Sequence, residues 1–519
     1  MISYNGTIYG LSDDVQFVKA SGKKGRTRYF IYHGKSTYPL TGAFAKVFEG
    51  IVCLKIQNFS DTHVSEKAFL KSFSYFLESD WIREIPEDMK PDLTLSDYTY
   101  YTDANGKYYI TNLLYKTVDI ISGAAYSLIA DGKYGKLPLE DLFYFYARRY
   151  LKDVKVTDEI YNFENQIEYK TVYILFSYDC NLKCKYCFEK RRNRSLDMSK
   201  EILDKSVRFI DNISIGSNVL INFFGGEPLL EKNRESIDEI FSKFRKNNNV
   251  YFRFITNGVN AKQFINVFEP VKRKIKSFVI TLDGTREIHD KRRAATDSHG
   301  SFDAVIEAID ILSAHDYPVV IRTNIDEGNY HNQDEYIRFL NKRFRGRKGI
   351  SIEYHRVEEK SDIDCRPTSY LDCYMLYKRI KKISRFNVTF NLPVVALLNS
   401  ICESSHSFPQ VKKSYCTLAS NYVIDYDGQV YSCHEATGVD SFKIGAVERE
   451  LKKGCEMAAN ENCRTCVFYM GCYGGCPLES YYYKEQTGCG KCSYNDMSDT
   501  IKHFFEMDPG MKKLRIGKG

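Results

Sequence analysis

The sequence predicts an α/β fold in which a parallel sheet is covered by helices. Between residues 173 and 354, short apolar strand-like runs alternate with amphipathic helical patterns, for example Phe302 to Leu312. The strand-like runs are Tyr173–Phe176, Val219–Phe224, Val250–Thr256, Phe278–Leu282, Val319–Ile325 and Ile350–Tyr354. Several end in glycine or polar residues, the pattern of a sheet whose carboxyl edge binds a ligand. The cysteines are clustered as well: of sixteen, one precedes residue 180, three lie at 180–187 and twelve lie between 365 and 492.

Composition removes several functional classes. A chain of 519 residues exceeds one compact domain. Apolar residues make up 43% and charged residues 27%, a soluble balance. No run of eighteen apolar residues occurs, so no membrane span is expected. Met1–Asn5 lacks the start of a secretion signal, and a cytoplasmic location follows. A disulfide scaffold would be short and secreted, which leaves metal or redox chemistry for the cysteines. The net charge of +7 is spread along the chain. Basic runs such as Lys243–Lys246 and Lys272–Lys274 read as solvated helix faces, and no nucleic-acid partner is expected.

Residues 1–165 show a degenerate repeat. Arg28–His33 reads as a strand. Thr41 caps a helix with Phe44, Val47, Phe48 and Ile51 on one face, and a second helix starts at Ser65. The order recurs with an Asn105-Gly106 hairpin, a helix capped by Ser122, and a helix from Leu139 to Leu151.

At Cys180 an apolar strand runs into a loop with C-x3-C-x2-C spacing: Cys180, Cys184 and Cys187. Three close thiolates suit three corners of an iron–sulfur cubane, with the fourth iron open to a small molecule. A zinc loop is the bland alternative. Gly225-Gly226-Glu227-Pro228 closes the next strand. Together these segments resemble the radical S-adenosylmethionine (SAM) superfamily. The resemblance implies a partial (β/α)6 barrel in which SAM chelates the open iron and yields a 5′-deoxyadenosyl radical. It places Tyr186 near the adenine and Gly225, Gly226 and Glu227 at the SAM amino group. Thr281 and Arg293 fall near the ribose and carboxylate. His289 and Asp290 read equally well as capping or surface residues.

The C-terminal cysteines form a second pattern. Cys416 and Cys433 bracket Gly428, and Cys463, Cys466, Cys472 and Cys476 follow with C-x2-C-x5-C-x3-C spacing. Cys489 and Cys492 close the set. Zinc could again occupy such pairs. The spacing resembles the SPASM domain, the seven-cysteine extension of radical SAM peptide and protein maturases. The resemblance gives Cys416, Cys433 and Cys476 to one auxiliary cluster. It gives Cys463, Cys466, Cys472 and Cys492 to another, with Cys489 as competitor. Cys402 is a candidate fourth ligand of the first; otherwise its iron is open to a substrate thiolate. Where sulfatase-maturing members have an aspartate after the second cysteine, this chain has His434, a candidate base.

By resemblance the cofactors are SAM and three [4Fe-4S] clusters. The partners are a precursor peptide with a leader and an external donor of flavodoxin or ferredoxin type. The expected layout is a winged-helix-like leader-recognition domain (1–92), a second such or bridging region (93–165), the radical SAM barrel (166–370), a bridge (371–415) and the SPASM domain (416–519). The expected reaction installs a crosslink in a ribosomal peptide, a cysteine thioether first and a carbon–carbon bond second. Sulfatase-type maturation, cofactor biosynthesis and a peptide-binding module with structural metal sites are the alternatives.

Overall fold

The computed structural model describes residues 2–4, 7–11, 15–21, 27–33, 36–40, 44, 46–48, 57–58, 64–79, 81–85, 93–114, 117–153, 169–189, 192–193, 195–297, 299–357, 365–402, 421–449, 451–452, 463, 466–472, 475–487 and 492–507. Its centre is a ten-stranded sheet. All six expected strands are present, at Lys170–Leu175, Val219–Phe224, Val250–Thr256, Ile275–Thr281, Val319–Ile325 and Ile350–Arg356. They pair in sequence order, each parallel to the next. This is the open α/β sheet that the alternating pattern implies.

Period-two alternation decides which face each side chain takes. In Val250–Thr256, Val250, Phe252 and Phe254 are buried in the large core, while Arg253 and Ile255 are half-exposed between them. The helices Lys200–Ile213, Arg234–Phe244, Phe302–Ala314 and Gln333–Arg343 contribute apolar faces to that core. Ser199 Oγ accepts from the Ile202 amide at the start of the first of these helices. Asp290 accepts from the Phe302 amide, so it has the capping role.

Two additions to the sheet had no counterpart among the expected strands. Asn387–Phe390, within the segment read as a bridge, adds a seventh parallel strand. On the opposite flank Asn421–Ile424 pairs parallel with the first strand, and Gln429–Tyr431 and Lys443–Ala446 continue antiparallel from it. The C-terminal cysteine region therefore shares one sheet with the barrel.

Residues 93–114 and 117–153 build a compact α+β unit. Asn105 and Gly106 take left-handed φ of 49° and 70°, as a two-residue hairpin turn requires. Ser122 caps Gly123–Ala130. The helix expected to reach Leu151 stops at Ala147. Arg149 turns left-handed there (φ 63°), and Leu151 starts a strand that pairs with Leu93–Leu95. The unit packs on the helix Tyr494–Glu506, with Tyr109 stacked on Phe505 at 4.7 Å.

Nearer the N-terminus, Thr27–His33 is the expected strand, central in a three-stranded antiparallel sheet. Phe76, from the helix Glu66–Glu78, packs against Phe48 and Trp81. Thr41 and Ile51 lie outside the described residues. Among the described residues, no helix is long and apolar enough to cross a membrane.

Candidate active site

The site gathers at the carboxyl ends of the first five strands. Cys180 follows the first strand, and Leu182–Cys184 forms a short strand antiparallel to Arg293–Ala295, with Cys184 opposite Arg293. Gly225 and Gly226 close the second strand with φ of 84° and 50°. A Cβ on Gly226 would lie 2.1 Å from the Asp179 carbonyl oxygen, so only glycine allows this approach. The Glu227 amide donates to that carbonyl at 2.8 Å, and the Gly226 amide donates to Glu189.

Glu227 turns its carboxylate inward. It accepts from the Leu229 amide at 2.9 Å, the Asn257 amide at 2.7 Å and the Thr256 hydroxyl at 2.5 Å. Burial pushes its pKa up, against three donors that favour the charged form. This carboxylate ties the end of the second strand to the end of the third. Asn257 in turn donates to Asn181 at 2.7 Å and lies 3.8 Å from Cys180 Sγ.

Tyr186 is the centre of a second network. Its hydroxyl donates to Asp283, and it receives hydrogen bonds from Arg293 at 2.7 Å and Asn324 at 3.1 Å. Asp283 also accepts from the Asn324 amide and from Arg292, whose guanidinium lies over the Tyr186 ring and binds Asp326. His289, thought capable of a surface role, is buried: Nδ1 accepts from the Asp283 amide and Nε2 pairs with Ser301. Burial holds its pKa down at about 3, so it is neutral. Thr281 is the buried last residue of its strand, in register with Arg322.

Asp283, Arg292, Asn324, Asp326 and Asn257 were not singled out from the sequence. Each stands at or just beyond a strand end, or on the helix after one, and that position was the available signal.

Three observations test the fit of an iron–sulfur cluster and SAM. Burial pushes the Cys180 thiol far above its usual range, so a thiolate there calls for a positive partner. Two nitrogens, Leu182 N and Asn257 Nδ2, point donors at Cys180 Sγ. Arg293 Nε is buried without a hydrogen-bond partner beside the loop, suited to an anionic group such as a carboxylate. Among the described residues no three His, Cys, Asp or Glu side chains form a single-ion cage. A cubane spreads its thiolates wider than one ion does, and the donor set fits it.

The C-terminal cysteines fall into two neighbourhoods. Cys433 is buried in the small core that Cys476 packs against, with Leu175, Tyr178 and Phe224. Cys466 and Cys472 pack against the large core instead. Cys463 is half-buried, and Cys492 is exposed just before Tyr494–Glu506. Cys402 is the last residue of the helix Pro393–Cys402. Cys416 and Cys489 lie outside the described residues. His434 stacks on Tyr173 at 4.7 Å and meets Phe224 edge-on at 5.1 Å.

Asp425 joins the two regions. It accepts from the Tyr178 hydroxyl and the Tyr426 amide, each at 2.8 Å. Burial lifts its pKa from 3.8 to about 6. The folded chain then holds more protons than the unfolded one between these values, so stability is full below pH 3.8 and falls as pH rises through 6. The loss is roughly 3 kcal/mol for this group. In chemical denaturation from pH 4 to 7, Asp425→Asn should remove that part of the slope; an unchanged slope would count against it.

Residues 174–341 match the Radical SAM superfamily. The chain is 26% identical over 366 residues to the cysteine-type anaerobic sulfatase-maturating enzyme of Clostridium novyi, covering 64% of this chain and 92% of that one. It is 21% identical over 377 residues to the serine-type enzyme of Bacteroides thetaiotaomicron, covering 63% and 86%. Among solved structures, native anSMEcpe with bound AdoMet aligns with a TM-score of 0.49 at 20% identity, covering 65% of this chain and 98% of that one. Streptococcus suis SuiB bound to precursor peptide SuiA aligns at 0.46 and 14% identity, covering 91% and 96%. Residues 174–341, which hold the three-cysteine loop and the Gly225-Gly226-Glu227 turn at their strand ends, are the part of the chain that matches the Radical SAM superfamily.

Proposed function

We propose that the chain is a radical SAM maturase that removes hydrogen from a peptide substrate and installs a crosslink. The observation that carries the reading is the shared sheet: pairing of Asn421–Ile424 with the first strand sets Cys433 and His434 against Tyr173 and Phe224, beside the barrel. When bound, the cluster and SAM supply the hydrogen-abstracting radical. Cys180, Cys184 and Cys187 would hold the cluster. Arg293 would meet the SAM carboxylate, the Gly225–Glu227 turn its amino group, Thr281 its ribose and Tyr186 its adenine. Two auxiliary clusters are part of the proposal, and the separate neighbourhoods of Cys433 with Cys476 and of Cys466 with Cys472 support two ligand sets. A flavodoxin- or ferredoxin-type protein would donate the electron.

A cysteine thioether is the favoured product, with a carbon–carbon crosslink next. Sulfatase-type maturation is the second reading, favoured by the likeness to the Clostridium novyi enzyme, a cysteine-type sulfatase maturase. His434 in place of an aspartate counts against it. The test is anaerobic reconstitution, iron and sulfide analysis, and 5′-deoxyadenosine assay with cysteine-bearing peptides. A product two hydrogens lighter with a blocked thiol supports the thioether. Zinc without sulfide, and no SAM cleavage, would leave a peptide-binding module.

Leader recognition by residues 1–92 belongs to the same proposal. The cut after 92 spares the pairing of Leu93–Leu95 with Leu151–Asp153, so the next unit stays closed. The truncated chain should keep reductant-driven SAM cleavage and bind full-length precursor on the order of tenfold more weakly, because strand addition supplies main-chain hydrogen bonds. Equal affinity in a titration would remove that role.

A further inference from the structure

The fifth and sixth strands carry a polar ladder of which the site above uses only Asn324. Arg322 and Glu353 are laterally paired on adjacent parallel strands, and so are Asn324 and His355. Arg322 Nη2 lies 3.2 Å from Glu353 Oε2, and Glu353 Oε1 lies 3.1 Å from His355 Nε2. Asn324, level with His355, binds the Tyr186 hydroxyl, so the ladder's upper rung adjoins the proposed SAM pocket. From the other side the Cys433 segment brings Glu435 close enough to act on His355 electrostatically.

Removing two hydrogens from a peptide leaves a proton to place, whatever bond forms. One hydrogen atom leaves on the adenosyl carbon of SAM. The substrate then gives up one electron, for which an auxiliary iron–sulfur cluster is the oxidant, and one proton. We propose that His355, held 3.1 Å from the Glu353 carboxylate, accepts that proton; this rests on the hydrogen-abstraction reading above. His434 is the weaker candidate, because its ring packs between Tyr173 and Phe224. His355 starts in the right state: burial first, and Arg322 next, lower its pKa, while Glu353 and Glu435 oppose them, leaving a neutral ring able to take a proton. Glu353 stays charged, because the His355 contact and Arg322 outweigh its burial.

The test uses the reconstituted full chain with synthetic cysteine-bearing peptides deuterated at every carbon-bound position. It measures 5′-deoxyadenosine and peptide that has lost one deuterium and one proton, from pH 5.5 to 8.5. In His355→Gln, abstraction still passes deuterium to 5′-deoxyadenosine, and the ratio of 5′-deoxyadenosine to product rises tenfold or more. The acid limb of product formation disappears. In Glu353→Gln the acid limb moves to lower pH, because the carboxylate that favours the charged imidazole is gone. A fall in both products in proportion, with the parental pH profile, would show a structural role only and overturn the proposal. A parent chain that forms 5′-deoxyadenosine but lightens none of the peptides would count against the hydrogen-abstraction reading, and the role of His355 would fall with it.

Discussion

Replacing Cys184 by alanine should leave a folded chain that no longer cleaves SAM. The backbone of Cys184 is held by pairing with Arg293, and that pairing does not need the sulfur. The chemistry does: with only three protein thiolates for a cubane, losing one leaves two open irons. Changes around a metal's ligands cost about 10–100-fold, and loss of a ligand should exceed that. The expected readout is 5′-deoxyadenosine at the background of a chain lacking all three cysteines, with unchanged circular dichroism. Parental SAM cleavage in Cys184→Ala would overturn the assignment of the loop. Cys373 offers a control, since it is fully buried in the helix Tyr370–Ile383 and packs in the core. Cys373→Ala should cost stability and keep the cluster.

Gly226→Ala should be nearly as damaging by a different route. The added methyl meets backbone on the far side, the Asp179 carbonyl at 2.1 Å and the Tyr178 carbonyl carbon at 2.8 Å. Backbone cannot swing aside as a side chain would. The left-handed φ adds strain of order 1–3 kcal/mol. Relief would push residues 178–179 away from the turn and carry Cys180 with them. The expected result is weaker SAM binding by isothermal titration and SAM cleavage slower by roughly a hundredfold, since a 1 Å misplacement can cost that much in rate. Gly216 has left-handed φ too, yet a Cβ there meets nothing within 4 Å. Gly216→Ala should therefore lower stability slightly and leave SAM affinity alone.

Much of the architecture was legible because it is local. Strands such as Val250–Thr256 announce themselves by β-branched and aromatic residues, and Asn105-Gly106 by its turn chemistry. The spacing of Cys180, Cys184 and Cys187 marked a loop for metal, and the resemblance supplied the cluster it would hold. What escaped was assembled over distance. Tyr186, Asp283 and Asn324 meet across 97 and 138 positions of sequence, and no local pattern marks such a network. Asn387–Phe390 and Asn421–Ile424 are short strands defined by the neighbours that accept them. The helix after Leu139 was read too long because its apolar spacing continues through Tyr150. A left-handed Arg149 instead redirects the chain so that Tyr150 can reach Asp119 from outside the helix.

The pairing of Asn421–Ile424 with the first strand also sets an order on synthesis. Thr171 must wait for Asn421, 250 positions later, before its flank is covered. At about 5–20 residues per second, a nascent barrel carries an uncovered strand edge for tens of seconds. Such an edge is a template for pairing with other chains. Fragments ending before residue 421 should therefore associate or be held by chaperones, and production of this protein should improve when translation and chaperone supply keep pace with one another.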